Sequence, residues 1–113
     1  MTLPQDFDGW ATSNAFQVDF DTETTDNTLN LLSVYIHNGD YTPGSSVATD
    51  TANASAVADT WETLTIDDSV IDDGAAPDWD AAGETAVIYL RLGSKSDNFA
   101  RVGDIKLNYL SKW

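Results

Sequence analysis

The sequence predicts an all-β fold, an antiparallel β-sandwich of the jelly-roll kind, in which residues 1–113 form a single domain. Three observations support this prediction. Several segments alternate apolar and polar residues with the period of two that is typical of half-buried strands. Turn-forming Gly, Pro and Asn residues separate these segments about every dozen residues, while little of the chain favours helix. The length is ordinary for one domain with one core.

The first half of the chain contains three of the expected strands. Phe16, Val18 and Phe20 alternate with polar residues, which indicates a strand with one buried face. The run NLLSVYIH at 30–37 is apolar on both faces and fits a central strand, which ends at the turn signals that follow it. The stretch 46–59 is ambiguous, because its alanines favour helix while its Thr and Val residues favour an edge strand. We favour the strand.

The second half contributes three further strands and one long acidic connection. In WETLTI at 61–66, Trp61 and Thr63 share one face while Leu64 and Ile66 share the other, and the second pair is the better candidate for the inner face. The connection at 67–84 is rich in Asp, and loops of this length are uncommon and often functional. The last strands are expected in AVIYLRL at 86–92 and FARVGDIKLNYL at 99–110.

Charge and composition exclude several classes of function. The chain has 19 acidic residues against five Lys and Arg, a net charge of −14, so its surface repels phosphate and we expect no nucleic-acid partner. No run approaches the roughly 20 apolar residues that cross a bilayer, so we expect no membrane span. The sequence has no Cys, which excludes disulfides and thiolate chemistry. Residues 1–20 lack the apolar stretch of a signal peptide, which predicts synthesis in a cytoplasm.

The sequence does not predict an enzyme. His37 is the sole histidine, and no Gly-x-Ser-x-Gly elbow accompanies it, so a polar role at the end of a strand is the simpler interpretation. Acidic residues are so numerous that two of them are expected to lie close together by chance. A glycosidase-like pair of carboxylates therefore has no specific support. We expect binding or assembly instead of catalysis.

The long acidic connection is the best candidate for a hard cation. Calcium prefers carboxylate oxygens from flexible loops, and Asp72 and Asp73 are the central candidates here. The same connection also holds Asp67, Asp68, Asp78 and Asp80. Their spacing matches no EF-hand loop, so the alternative is a solvated acidic loop. A structural calcium is the one cofactor that we consider for this chain.

Aromatic residues are the candidates for contact with a ligand or a partner, because exposed Trp and Tyr rings stack on sugars and are enriched at interfaces. We expect Trp79, between two aspartates of the long connection, to be the most exposed tryptophan, followed by Tyr41 in a turn. Trp10 and Trp61 are expected in the core or at its edge, because large aromatic side chains usually supply burial. Trp10 is kept as a secondary interface candidate.

Four segments carry a resemblance to a known family. They are DFDGW at 6–10, WETLTI at 61–66, AVIYLRL at 86–92 and GDIKLNY at 103–109. Together they resemble the jelly-roll sandwiches of carbohydrate-binding modules. The resemblance implies glycan binding through exposed aromatic rings. It also implies a structural calcium between the N-terminal and closing strands, for which Asp8 and Asp104 are the nearest matches, although Gly103 stands where the family has a second acid.

The overall character of the chain, short, acidic and free of Cys, is also similar to that of decoration or cement proteins of tailed-phage capsids. This resemblance implies a virion component, made in the host cytoplasm, that adds to the major capsid protein as a homo-oligomer, with a trimer favoured. An N-terminal arm at 1–8, or the C-terminal residues Leu110 to Trp113, would dock on the shell. We favour this function. The alternatives are a secreted carbohydrate-binding module that recognises glycans and an unidentified interaction protein.

Overall fold

The computed structural model describes residues 1–24, 31–39, 46–52, 57–72, 74, 77–93 and 97–113, and at 31–33 and 46–52 it describes the backbone alone. Eight strands and one short helix occur among these residues. In chain order they are β1 (Phe7–Trp10), β2 (Phe16–Thr22), β3 (Leu31–Asn38), β4 (Ser46–Ala52), β5 (Glu62–Ile66), α1 (Asp68–Ile71), β6 (Ala86–Gly93), β7 (Ala100–Leu107) and β8 (Tyr109–Ser111). Within this described part, no helix has the length and apolar character needed to span a bilayer.

All of the strand pairs are antiparallel, which confirms the predicted fold class. One three-stranded sheet has β2 between β5 and β7, a second has β3 between β4 and β6, and β1 pairs with β8. The pairs β1–β8, β2–β7 and β3–β6 are nested along the chain. β4 and β5 take the places beside β3 and β2.

The main core is formed by the inner faces of the two three-stranded sheets. On β2, Phe16 and Val18 are buried while Gln17 and Asp19 are partly exposed, and on β3 both Val34 and Ile36 are fully buried. Each strand thus directs alternate side chains inward, as the apolar period of two predicts. The same alternation sends the other side chains of these strands to the outer faces of the sandwich.

A second part of the core is an aromatic cluster that joins the terminal strands to the long acidic connection. The ring centroid of Phe7 lies 5.1 Å from that of Trp10 and 5.8 Å from that of Tyr109. The Trp10 ring in turn lies 5.2 Å from Trp79. These separations are within the range in which aromatic pairs attract each other beyond their simple burial. The cluster therefore anchors the acidic connection to the sandwich.

The N-terminal residues are part of the sandwich and do not form the arm that the sequence suggested. Leu3 is 1% exposed, its N–H donates to the carbonyl of Glu84 at 2.9 Å, and the N–H of Ala86 donates to the carbonyl of Met1 at 2.8 Å. Burial of a leucine side chain contributes about 1.5–3 kcal/mol. Release of residues 1–8 as a docking arm would forfeit this burial and these backbone hydrogen bonds.

Two predicted strands have different ends in the structure. β4 confirms the strand interpretation for residues 46–52, and 53–56 lie outside the described residues. The segment 99–110 is two strands, because Asn108 interrupts it. The N–H of Asn108 donates to the carbonyl of Ala15 at 2.9 Å, and its side-chain amide donates to the carbonyl of Asn14 at 2.6 Å. At Asn108 the chain passes from the β5–β2–β7 sheet to the β1–β8 pair.

Candidate functional site

Trp79 is buried, so the expectation that it is the most exposed tryptophan is wrong. It is 0% exposed, and its indole N–H donates to the carbonyl of Glu84 at 3.2 Å. The carboxylate of Glu84 accepts the N–H groups of Asp80 and Ala81, both at 3.0 Å. This tight turn folds the connection back and places the indole against the aromatic cluster. Acidic neighbours on either side of Trp79 do not keep its ring in solvent.

Trp10 is buried as expected for a core residue, which removes it as an interface candidate. Its indole N–H donates to the carbonyl of Trp79 at 2.7 Å, so the ring is buried and its polar group has a hydrogen-bond partner inside the protein. Tyr41, the second exposed candidate, lies outside the described residues. Neither Trp10 nor Trp79 presents a ring face to a ligand.

The C-terminal candidates are exposed. Leu110 is well exposed on β8, and Trp113 is 85% exposed and does not tuck onto the sandwich. The backbone next to Trp113 is nevertheless held, because the N–H of Lys112 donates to the carbonyl of Asp6 at 2.8 Å. The hydroxyl of Ser111 also donates to the carboxylate of Asp6 at 2.8 Å. Leu110 and Trp113 are thus apolar groups on a fixed backbone at the surface.

The acidic connection brings together one of the two aspartates that the sequence singled out there. Asp72 lies with Asp78 and Asp80 in a group whose carboxylate oxygens are within 4.8 Å of one another. Partial desolvation, followed by repulsion from Asp72, Glu84 and Asp78, raises the pKa of Asp80 above its ordinary value. Asp73 is outside the described residues. The oxygen set suits a calcium ion in kind, as the sequence suggested.

Asp8 and Asp104, the calcium ligands implied by the resemblance to carbohydrate-binding modules, do not join such a group among the described residues. Both side chains are exposed, Asp8 on β1 and Asp104 on β7. β1 pairs with β8, whereas β7 pairs with β2, so the two aspartates belong to different sheets. Asp104 instead belongs to the outer face of the β5–β2–β7 sheet, where the structure assembles a different kind of site.

Trp61 lies on this outer face, so the expectation that it lies in the core or at its edge is wrong. It is 51% exposed and directly precedes β5. On β5, Leu64 and Ile66 pack into the core beside Val18 and Phe16, which are their partners in the register with β2. Because side chains alternate across a strand, the inward direction of Leu64 and Ile66 sends Trp61 outward. At this position the alternation of side chains along the strand outweighs the general tendency of tryptophan to be buried.

The indole of Trp61 crosses the sheet and lies against the backbone of β7. A Cβ atom added at Gly103 would be 2.9 Å from Cζ3 and 3.3 Å from Cη2 of the Trp61 ring. Real Cβ atoms do not approach other carbons so closely, because van der Waals contact between carbons lies at about 3.5–4.0 Å. Gly103 is therefore required for the close approach of ring and strand, a known use of glycine inside a strand.

Arg101 holds the ring from a second direction. Its guanidinium carbon lies 5.4 Å from the Trp61 centroid and 4.4 Å from the Phe99 centroid, both of which are cation–π distances. The guanidinium donates to the carboxylate Oδ2 of Asp21 through Nε, at 2.9 Å, and through Nη2, which also donates to Asp59 at 2.9 Å. These charged hydrogen bonds raise the pKa of Arg101, with the bond to Asp21 as the largest cause.

Asp21 is the buried anchor of this arrangement. Its side chain is 0% exposed, and its Oδ1 atom accepts no hydrogen bond from any described residue. A buried carboxylate of this kind is tolerated only with a cation beside it, so Asp21 fixes the position of Arg101. Asp59 ties the segment before β5 to the same guanidinium, and its N–H donates to the carbonyl of Thr22 at 2.9 Å. Trp61 therefore extends from a restrained segment.

A cavity of about 260 Å³ opens beside the ring, with Asp19, Trp61, Gly103 and Asp104 in its walls. The carboxylate of Asp19 accepts the hydroxyl of Thr63 through Oδ1 and the ammonium of Lys106 through Oδ2, both at 2.7 Å. The bond to Lys106, followed by that to Thr63, lowers the pKa of Asp19 from 3.8. Asp19 is thus ionised at neutral pH and forms an ion pair with Lys106.

Chemically, this arrangement combines a flat apolar face, two carboxylates and one ammonium at the border of a shallow cavity. Such a set can bind a ligand that has an apolar face and a rim of polar groups. The sole histidine, His37, lies on β3 in the other sheet, so it does not contribute to this face. Comparison with protein-family models, curated proteins and solved structures gave no match to this chain.

Sequence reasoning did not identify Asp19, Arg101 or Gly103 as members of a site. One signal was available, because a glycine inside a strand pattern often marks the close approach of another group. The buried pair between Asp21 and Arg101 joins residues 80 positions apart, and no local pattern marks such a contact. Only the register of β2 with β7, in which Asp21 is opposite Arg101, brings them together.

Proposed function

We propose that this chain is a non-catalytic binding domain that holds a glycan against the outer face of the β5–β2–β7 sheet. The observation that carries the proposal is Trp61, a half-exposed indole that is fixed over Gly103 at the border of a cavity with two carboxylates. This is the function that the sequence offered as the alternative. The sequence favoured Trp79 as the exposed aromatic residue for this function, whereas we assign that role to Trp61.

The chemistry of a sugar matches this surface. A pyranose ring has an apolar face of C–H groups, which packs on an indole, and a rim of hydroxyls that donate to carboxylates and accept from ammonium groups. Here Trp61 offers the apolar contact, Asp104 accepts, and Lys106 donates. At about 260 Å³ the cavity is smaller than the roughly 300–1,000 Å³ of sites for drug-sized ligands. We therefore expect it to hold one sugar ring, with the rest of the glycan along the open sheet face.

The contacts beneath the ring favour binding further, because they order the indole before a ligand arrives. Gly103 and Arg101 restrain Trp61, and Asp21 restrains Arg101 in turn. A side chain that is already ordered loses little conformational entropy on binding, a loss that is otherwise about 0.5–1.5 kcal/mol. Because Arg101 contacts one face of the indole, the opposite face is the one that we assign to the sugar.

The test compares two exposed tryptophans. Dissociation constants for a panel of soluble oligosaccharides are measured by calorimetry for the unchanged chain, for Trp61→Ala and for Trp113→Ala. We expect at least one oligosaccharide to bind, Trp61→Ala to weaken its binding by about tenfold or more, which corresponds to about 1.4 kcal/mol, and Trp113→Ala to leave it unchanged. Absence of binding across the panel, or equal affinity of Trp61→Ala and the unchanged chain, would contradict the proposal.

A second candidate function is the decoration or cementing of an assembled capsid, which the sequence favoured and which the C-terminal residues support. Leu110 and Trp113 expose apolar groups next to Lys112, while the chain as a whole carries a net charge of −14. Exposed apolar groups at one end of an acidic domain suit contact with a sister subunit or with the capsid shell, and Lys112 offers a cation there. In this proposal the chain is a virion component made in a host cytoplasm, and the major capsid protein is its partner.

Removal of Ser111 to Trp113 tests this second function. We expect the unchanged chain to be an oligomer, with a trimer favoured, in light scattering and to sediment with assembled capsids. The shortened chain should lose one or both properties while it keeps the glycan affinity of the unchanged chain. An unchanged chain that is monomeric and fails to sediment with capsids would exclude the decoration of capsids and leave glycan binding as the sole proposal.

A further inference from the structure

The two carboxylates in the wall of the cavity differ in whether their charge is compensated. Asp19 accepts one hydrogen bond on each oxygen, from Thr63 and from Lys106. Asp104 accepts no hydrogen bond from any described residue, although it is close enough to Lys106 to raise the pKa of that ammonium after the larger effect of Asp19. Asp104 is therefore the acceptor at this site that is open to a ligand.

Among the residues that the structure describes, the bases around the cavity do not offset both acids. Lys106 is paired with Asp19, and the guanidinium of Arg101 is bound to Asp21 and Asp59. Against Asp19 and Asp104, Lys106 leaves one negative charge at the cavity wall. The net charge of −14 on the whole chain adds a field of the same sign. A ligand with a carboxylate or sulfate would meet repulsion here, whereas a cation would be attracted.

We infer that the Trp61 cavity selects an amino sugar, a pyranose with a free protonated amine, whose ring stacks on the indole while its ammonium faces Asp104. This inference rests on the glycan-binding function proposed above and names the class of glycan. A carboxylate with unused acceptor positions at the rim of an aromatic face provides both contacts that a sugar ammonium needs: a counter-charge and hydrogen-bond acceptors. Uronic acids and sulfated sugars are disfavoured by the same charge.

The experiment uses three disaccharides that share a β-1,4-linked pyranose backbone and differ in one substituent. They are the disaccharide of glucosamine, its N-acetylated form and cellobiose. Binding is measured by calorimetry at about pH 6, below the roughly 7.7–8.0 that is usual for an α-amino group, so the free amine is protonated. We expect the glucosamine disaccharide to bind about threefold to tenfold more tightly than the two neutral ones at low salt. In about 1 M salt, which screens charges beyond roughly 3 Å, most of this preference should disappear.

Two variants separate the role of Asp104 from the charge of the whole chain. Asp104→Asn keeps the shape of the side chain and removes its charge, and Asp8→Asn removes an exposed charge on β1. Asp104→Asn should abolish the preference for the amine, because the affinity for the glucosamine disaccharide falls further than the affinity for cellobiose, whose hydroxyls can still donate to the amide oxygen. Asp8→Asn should keep the preference, because it changes the net charge by the same amount at a different place.

The results distinguish this inference from the function on which it rests. Equal affinity for the three disaccharides in the unchanged chain, with a loss of all three in Trp61→Ala, would overturn amino-sugar selection and keep the glycan site. The same preference in Asp104→Asn as in the unchanged chain would also overturn it. If none of the three binds and other oligosaccharides fail as well, the proposed function itself fails.

Discussion

Trp61 and Trp79 occupy places in the molecule that are the reverse of what their sequence surroundings suggest. Trp61 stands in a β-rich segment and is half exposed, whereas Trp79 stands between two aspartates in an acidic connection and is fully buried. The ring of Trp79 packs in the aromatic cluster, and its indole N–H donates to the carbonyl of Glu84. Trp61 rests on Gly103 and Arg101 and keeps part of its surface free. One ring maintains the fold, and the other is available for binding.

Different sequence signals determine the burial of the two tryptophans. For Trp61 the period of two is decisive, because Leu64 and Ile66 on β5 pack into the core and the alternation then directs Trp61 outward. For Trp79 no period exists, since it lies in a connection, and charged neighbours are a poor guide to a single side chain. Its burial depends on Trp10, which precedes it by 69 residues, and no local pattern reports that contact.

Removal of each ring in a separate variant tests whether the two tryptophans have different roles. Trp79→Ala should lower the free energy of unfolding by about 3–5 kcal/mol, the usual cost of a large aromatic removed from a core. Trp61→Ala removes an exposed ring and a cation–π contact, so we expect a loss of about 0.5–1 kcal/mol. Urea unfolding of both variants measures the two losses. Equal losses would mean that the two rings do not have the separate roles described above.

The second prediction concerns the anchor beneath Trp61. Asp21→Asn keeps the size of the side chain but removes the charge that holds Arg101, and hydrogen bonds to charged groups contribute about 1.5–3 kcal/mol. We expect a loss of stability in that range and weaker glycan binding, because Arg101 no longer restrains the indole.

Asp59→Asn is the matched control for that variant. It removes the other, exposed acid that contacts Arg101 and should change stability by less than about 1 kcal/mol. If Asp59→Asn destabilises the chain as much as Asp21→Asn, buried and exposed partners of Arg101 are equivalent and Asp21 is not the anchor.

Much of the fold could be predicted from the sequence, and less of the site. The alternation at Phe16 to Phe20 predicted a strand and its inner face, and the run at 30–37 predicted a second strand, because both patterns are local properties. The acidic group at Asp72 was also foreseen in part. The cluster of Trp10 with Trp79 and the pair of Asp21 with Arg101 could not be foreseen, because each depends on how distant strands are paired.

A third prediction concerns the contact between Gly103 and the ring of Trp61. Gly103→Ala places a methyl group where the Trp61 ring now lies, and the ring must move because it is the more flexible partner. We expect a change of stability within about 1 kcal/mol, since the contact atom is at the end of a side chain, together with a loss of glycan affinity of several fold.

The double variant Trp61→Ala with Gly103→Ala is the control for this contact. If the methyl group acts only through the ring, it should have no further effect on affinity once the ring is gone. A loss of affinity in the double variant beyond that of Trp61→Ala would show that Gly103 acts through something other than the tryptophan.

The smallest expected effect is on the acidic connection that carries Trp79. If calcium binds Asp72, Asp78 and Asp80, millimolar calcium should raise the melting temperature by a few degrees, because a ligand that binds the folded state stabilises it. Asp80→Asn should remove that rise, and Asp8→Asn should not. A melting temperature that is the same with calcium and with a chelator would identify the connection as a solvated acidic loop. The burial of Trp79 would then not depend on a bound metal ion.

The division of roles between the tryptophans can be tested directly by NMR, because each of the four indole N–H groups gives its own signal. A glycan that binds the chain is titrated into ¹⁵N-labelled protein, with signals assigned from the single Trp→Phe variants at positions 61 and 113. We expect the Trp61 signal to shift progressively while those of Trp10, Trp79 and Trp113 stay in place. A shift at Trp113 with none at Trp61 would contradict the assignment of the binding face.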